Sequence, residues 1–205
     1  MPRRRALAAI GVALFAGYLL TSHPLARGDA AQETIRVPQD EPTIQQAVDR
    51  AEPGDRILVD GGTYPGGVVV PAATHDLTIE GIDRNGVVLD GGDVRKNGIS
   101  VHADGVSLLN MSAHNFVANA FYWDDADRFR ASYLTVWNVE GYGVYIEGGE
   151  EGSVDHDYVS GAADAAYYVG ECRHCRATLS HVVAALSAVG YSGTNASELV
   201  IRDSL

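Results

Sequence analysis

Cysteine is nearly missing from this chain: Cys172 and Cys175, in the run CRHC, are its only two. A framework of several disulfides is thereby excluded, and so is a four-cysteine metal site. The CRHC spacing leaves three readings: a local loop disulfide, a metal site completed by His174, His156 or His181, or a redox pair. For an exported chain the disulfide is the simplest. Long apolar runs are also scarce. The most apolar stretch, ALAAIGVALFAGYLL at residues 6–20, is shorter than the roughly 20 residues a membrane helix needs. It follows Arg3, Arg4 and Arg5 and precedes the small-residue stretch GDAA. Residues 1–30 therefore read as a secretory signal or N-terminal anchor, with no cysteine nearby for a lipid, which places the protein outside the cell or in its envelope.

Basic residues are the next shortage. The whole chain holds 15 basic and 27 acidic residues; without residues 1–30 the balance is 11 against 26, a net of −15. Such a surface repels phosphate backbones, so nucleic acid is excluded as a partner. It suits a calcium ion, or plain solubility. Beyond the leader, no membrane contact is expected.

Helical periodicity is confined to one place. In EPTIQQAVDRAEPGD, Ile44, Ala47, Val48 and Ala51 share a helical face, with Thr43 as N-cap and Pro53-Gly54 as the stop. The rest consists of short extended segments between turns rich in Gly, Asp, Asn and Ser.

Those segments repeat. GISV at Gly98, AFYW at Ala120, GVYI at Gly143, AYYV at Ala166 and VGYS at Val189 follow one another at steps of 22, 23, 23 and 23 residues. A weaker series, near Asn110, Ser132, Asp157, Ser180 and Asp203, follows each phrase. A unit this short buries no face alone and must stack on its neighbours. No leucine-rich framework is present. The pattern predicts an all-β fold: a single-stranded, right-handed parallel β-helix of about 22–23 residues per coil with a short N-terminal capping helix. The expected division is leader 1–30, N-terminal segment with helix 31–56, and β-helix 57–205. ELVIRDSL begins a strand without closing the last coil, so further C-terminal coils, or a partner chain, are expected to cover that end.

Side chains alternate along a strand. Ile99/Val101, Phe121/Trp123, Val144/Ile146 and Tyr167/Val169 should then point inward, and Tyr122, Tyr145, Tyr168 and Tyr191 should form a column on one outer face. Two residues further on, that face carries His102, Asp124, Glu147, Gly170 and Gly193. Adjacent carboxylates at Asp124 and Glu147, about 5 Å apart by strand spacing, would share a proton or a calcium ion. Asp125 and Glu171 lie at the neighbouring turn. The functional reading is an acidic-polysaccharide groove of lyase, hydrolase or epimerase type, with the tyrosines as platform and His102, Asp124 and Glu147 as the catalytic groups. Against it stand a non-catalytic solenoid that binds glycan or a partner protein with the same face, and a ladder that only stiffens the sheet. His156, between Asp155 and Asp157, is a second candidate; there a polar column bonding turn backbone is the plainer reading.

The opening TIQQAVDRAEPGDRILVDGGTY and the later GVVLDGGD resemble the pectin-lyase-like right-handed β-helix superfamily, over roughly residues 34–205. DYVSGAADAAYYVGE is similar to exported bacterial β-helix-repeat proteins of the NosD-like type. The resemblance implies the fold and an outward strand face that binds polysaccharide, but supplies no catalytic residue. The Asp-Pro-His-Asp signature of alginate epimerases is absent, since VDHDY lacks its proline, and no paired-acid motif of polygalacturonases is found.

Overall fold

A computed structural model describes residues 32–205; the leader lies outside these residues. They form a parallel β-solenoid with three sheets. Sheet A has eight strands, from Thr34–Val37 to Leu199–Arg202. Sheet B has six, from Gly62–Pro65 to Val183–Ala185, and sheet C has six, from Val68–Val70 to Val189–Ser192. Each coil visits A, B and C in turn, and each strand pairs in parallel with its equivalent one coil away.

The alternation expected of the inner face holds. In sheet C, Phe121 faces Ile99 and Val144, and Val144 faces Tyr167. These residues, with Val101, Trp123, Ile146 and Val169, are buried. β-Branched and aromatic side chains fill this narrow interior, which favours strands over helices.

Between sheets A and B the chain bends through left-handed residues: Asn110, Tyr133, His156, His181 and Asp203 all have φ between 53° and 58°. Asn and Asp tolerate this conformation readily; Tyr and His do so at a cost. It is held because the coil-to-coil ladder continues through the bend. Asn110 N–H donates to Ser132 O at 3.0 Å, Tyr133 N–H to Asp155 O at 3.1 Å and His156 N–H to Ser180 O at 3.2 Å.

The helix spans Ile44–Arg50, Thr43 accepts a hydrogen bond from Gln46 N–H, and Ile44, Ala47 and Val48 are buried. One expectation is corrected. Among the described residues the first solenoid strand is Thr34–Val37, which pairs with Arg56–Val59, so the helix interrupts a coil rather than preceding the first one, and residue 57 is too late a boundary. Only Ile35 and Val37 are apolar and buried in that strand, a pattern too short to read alone. Among the described residues no helix is long and apolar enough to cross a membrane.

The two cysteines are bonded to each other and buried, which removes them as metal ligands. Their turn also corrects the repeat. Equivalent residues are 23 apart before it (Glu147 and Gly170), 25 apart after it (Ser153 and Thr178), and 24 apart at the next sheet C strand (Ala165 and Val189). The CRHC turn thus adds two residues, and one is lost between sheets B and C, after Ala185 and before Val189.

Asp157 also departs from its expected column. It stands one coil beyond Leu134, at an inward position, and is 1 % exposed. Its Oδ1 accepts from Leu134 N–H at 2.7 Å, while Oδ2 has no partner. Burial pushes its carboxyl well above the ordinary value, against the pull of the Leu134 N–H and of Arg84. A folded-state pKa above the unfolded one adds stability in acid that is lost as pH rises through the folded value. Asp157→Asn should therefore flatten the pH dependence of the thermal midpoint, gaining on wild type as pH rises from the ordinary carboxylate range toward the raised folded value and converging with it in acid. Parallel curves for the two proteins would contradict this.

Candidate functional site

The outer face of sheet C assembles most of the expected residues. Tyr122, Tyr145 and Tyr168 are successive partners across the strands Asn119–Asp124, Val144–Glu147 and Ala165–Gly170. Ser100 precedes them and Ser192 follows. Tyr191 does not belong to this column. The altered repeat length pairs it with inward-facing Tyr167, and its hydroxyl donates to Val169 O at 2.9 Å.

The tyrosines form a closed cluster rather than an open platform. Tyr145 stacks on Tyr122 (centroids 5.1 Å, 16°) and on Tyr142 (4.5 Å, 12°), and meets Tyr168 edge-on at 4.6 Å. Tyr168 is only 6 % exposed. It folds back over its own strand: a Cβ on Gly170 would lie 2.6 Å from the Tyr168 hydroxyl. The acidic column ends there for that reason, and Tyr168 closes the face instead of presenting a surface. Tyr142 escaped the sequence reading although it immediately precedes the repeated phrase GVYI.

Below the cluster lie the groups with chemistry. Asp124 and Glu147 are in register on adjacent strands. His102, one coil before Asp124, places Nδ1 3.2 Å from Asp124 Oδ2, and both side chains are about two-fifths exposed, at 40 % and 37 %. The Tyr122 hydroxyl donates to Glu147 Oε2 at 3.2 Å. Burial raises the Tyr122 phenol above its ordinary value, helped by the charges of Asp124 and Glu147. Tyr145 is raised by burial and then by Glu147. Tyr142 is pushed up to about 12, by burial first and then by its hydrogen bond to Asp164.

Beside His102 opens a cleft of about 480 Å³, lined by Ala72, His75, Asp76, Asp104, Asp125 and Arg128. Arg128 Nη2 lies 3.2 Å from Asp76 Oδ1, and His75 Nδ1 lies 2.7 Å from Asp76 Oδ2. The His75 hydrogen bond, with Arg128 behind it, lowers the Asp76 carboxyl despite partial burial. These residues had no repeat to mark them.

The donors do not fit a calcium site. Calcium takes about six to eight oxygens, and among the described residues no group of three or more His, Cys, Asp or Glu is placed to hold a metal ion. Asp125 and Glu171 share a turn column, but Gly148 stands between them. His156 is likewise no metal ligand here. It stacks between Tyr133 (4.7 Å) and His181 (4.8 Å), with Nδ1 2.9 Å from Asp155 Oδ2.

Absorbance titration of the phenols tests this site. Tyr122, Tyr142 and Tyr145 should ionise only above the usual range near pH 10, and Tyr145→Phe should remove one phenol from that late phase. A single transition of all ten tyrosines near pH 10 would contradict the cluster.

Neither the family models nor the curated proteins compared with this sequence match it. Solved structures do match. The pectate lyase Pel9A superposes with a TM-score of 0.71 at 13 % identity, over 86 % of this chain and 54 % of its own. The alginate lyase AlyGC, of family PL6, gives 0.61 at 12 % identity, over 90 % of this chain and 30 % of its own. A rhamnogalacturonan lyase gives 0.55 at 13 % identity, over 84 % and 56 %. The chain thus spans about half the length of the first and third and under a third of the second. What these likenesses show is the fold: this chain is a right-handed parallel β-helix, the fold it shares with these lyases.

Proposed function

We propose that this protein is an exported carbohydrate-active β-helix protein that cleaves an acidic polysaccharide on sheet C by β-elimination. The observation that carries this reading is the contact between His102 Nδ1 and Asp124 Oδ2 at 3.2 Å, beside Glu147 and the Tyr122 hydroxyl. The Asp124 carboxylate beside Nδ1 electrostatically favours the proton on that nitrogen, the tautomer that leaves Nε2 free to take a proton. In a uronate the proton on the carbon beside the carboxylate is the acidic one. His102 Nε2 takes it, the electron pair forms the ring double bond, and the glycosidic oxygen leaves with a proton from solvent. Tyr122 stays protonated with its hydroxyl proton directed to Glu147, so its oxygen accepts a hydrogen bond from a sugar hydroxyl. Arg128, which lines the adjoining cleft and pairs with Asp76 and Asp104, offsets part of the acidic charge that a uronate would meet there. Lyases with this fold support the reading by analogy of fold alone.

A second reading rests on a specific feature. Both faces of the Tyr145 ring are covered and Tyr168 is buried, which suits a non-catalytic solenoid that holds glycan or a partner protein in the envelope. A screen of uronate polysaccharides separates the two. Elimination releases unsaturated ends; hydrolysis by an Asp124–Glu147 pair would release reducing ends without them. His102→Ala and Asp124→Asn should each lower the rate of unsaturated product by about 10²–10⁴-fold with the fold intact. Glycan binding without any product would sink the enzyme and leave the binder.

A further inference from the structure

Sheet B carries aromatic side chains that the sheet C site does not use. Trp137, on the strand Thr135–Val139, stacks one face on His114 from the preceding coil, with centroids 4.4 Å apart and planes within 9°. His114 Nδ1 in turn lies 3.9 Å from Asp90 Oδ1. One coil on, the residue opposite Trp137 is Ser160, and among the described residues no ring stacks from that side. Two positions before Ser160, on the same outward side, stands Tyr158. Trp137 and Tyr158 are 38 % and 40 % exposed. By strand geometry Ser160 sits about 5 Å from the Trp137 column and about 7 Å from Tyr158. The result is a small polar floor bordered by two aromatic side chains, on the scale of one pyranose ring.

Arg84 reaches the same place from two coils earlier. Its Nε donates to Thr135 Oγ1 at 2.6 Å, and its Nη2 donates to Leu134 O. Thr135 is the register partner of Tyr158, so the threonine that Arg84 holds stands one coil from the Tyr158 strand position. Among the described residues no carboxylate is within ion-pair distance of Arg84. The acid that feels its charge, Asp157, is buried at an inward position. An arginine without a surface counter-ion beside exposed aromatic rings is suited to a flat, anionic ligand.

We propose that Trp137, Tyr158, Ser160 and Arg84 form a second sugar-binding site on sheet B, separate from the sheet C groups, that takes a uronate residue. The sugar's apolar face packs on the free face of Trp137 and its carboxylate meets Arg84. The site requires no turnover and stands whether or not sheet C is catalytic.

Tryptophan fluorescence isolates this site, because of the two tryptophans Trp123 is fully buried and Trp137 is exposed. The chain carrying Asp124→Asn, to prevent turnover, would be titrated with a galacturonate hexamer and with neutral xylohexaose. A saturable emission change with the acidic hexamer is expected. It should weaken at least about tenfold on Ser160→Phe, which fills the floor, and on Tyr158→Ala, with thermal midpoints unchanged. Arg84→Gln should abolish the preference for the acidic hexamer, and Tyr122→Ala should leave the signal intact. No saturable change, equal binding of both hexamers, indifference to Ser160→Phe, or loss of signal on Tyr122→Ala would each overturn the proposal.

Discussion

Everything in this molecule depends on the hydrogen-bonded register between equivalent residues of successive coils. Each strand has its partner one coil away, so a side chain's vertical neighbour is set by backbone pairing and not by its own chemistry. A periodicity along the sequence thereby becomes a column on a surface. The same ladder, continued through the bends, holds residues such as Tyr133 and His156 in left-handed conformations that they would otherwise avoid.

That constraint explains how chemistry gathers on sheet C. His102, Asp124 and Glu147 are far apart in sequence, yet consecutive coils bring them side by side. Their neighbours are shaped by the same rule. Tyr145 is flanked by Tyr122 one coil before and by Tyr142 of its own coil, which shields the phenols from water. Gly170 leaves room for Tyr168 to fold over and end the acidic column. On sheet B, small Ser160 follows large Trp137 and leaves one ring face open.

Fold and inner face were legible in the sequence because they rest on repetition. The steps of 22 and 23 residues and the alternation around Phe121 and Val144 gave the coil, and TIQQAVDR gave the capping helix. What was lost was lost where the repeat changes length. The enlarged turn at Cys172–Cys175 adds two residues and the connection between Ala185 and Val189 loses one, and that net shift of one moved Tyr191 from the outer column to the inner one. A misread register also hid Asp157, an acid at a position filled by Leu134 and Val182 in neighbouring coils. Tyr142, Arg128 and Arg84 act through side chains that reach beyond their own column, and no period marks such residues. The strand Thr34–Val37 was too short to stand out before a helix.

Cross-linking tests the register most directly. In-register parallel neighbours lie about 4.8 Å apart, within the range of about 4.4–6.8 Å that a disulfide spans. With the native cysteines already joined, a chain carrying Asp124→Cys and Glu147→Cys should close a new disulfide under mild oxidation. One carrying Ser100→Cys and Tyr145→Cys, two coils apart in one column, should not. Closure of the second pair in preference to the first would contradict the stacking from which both sites are built.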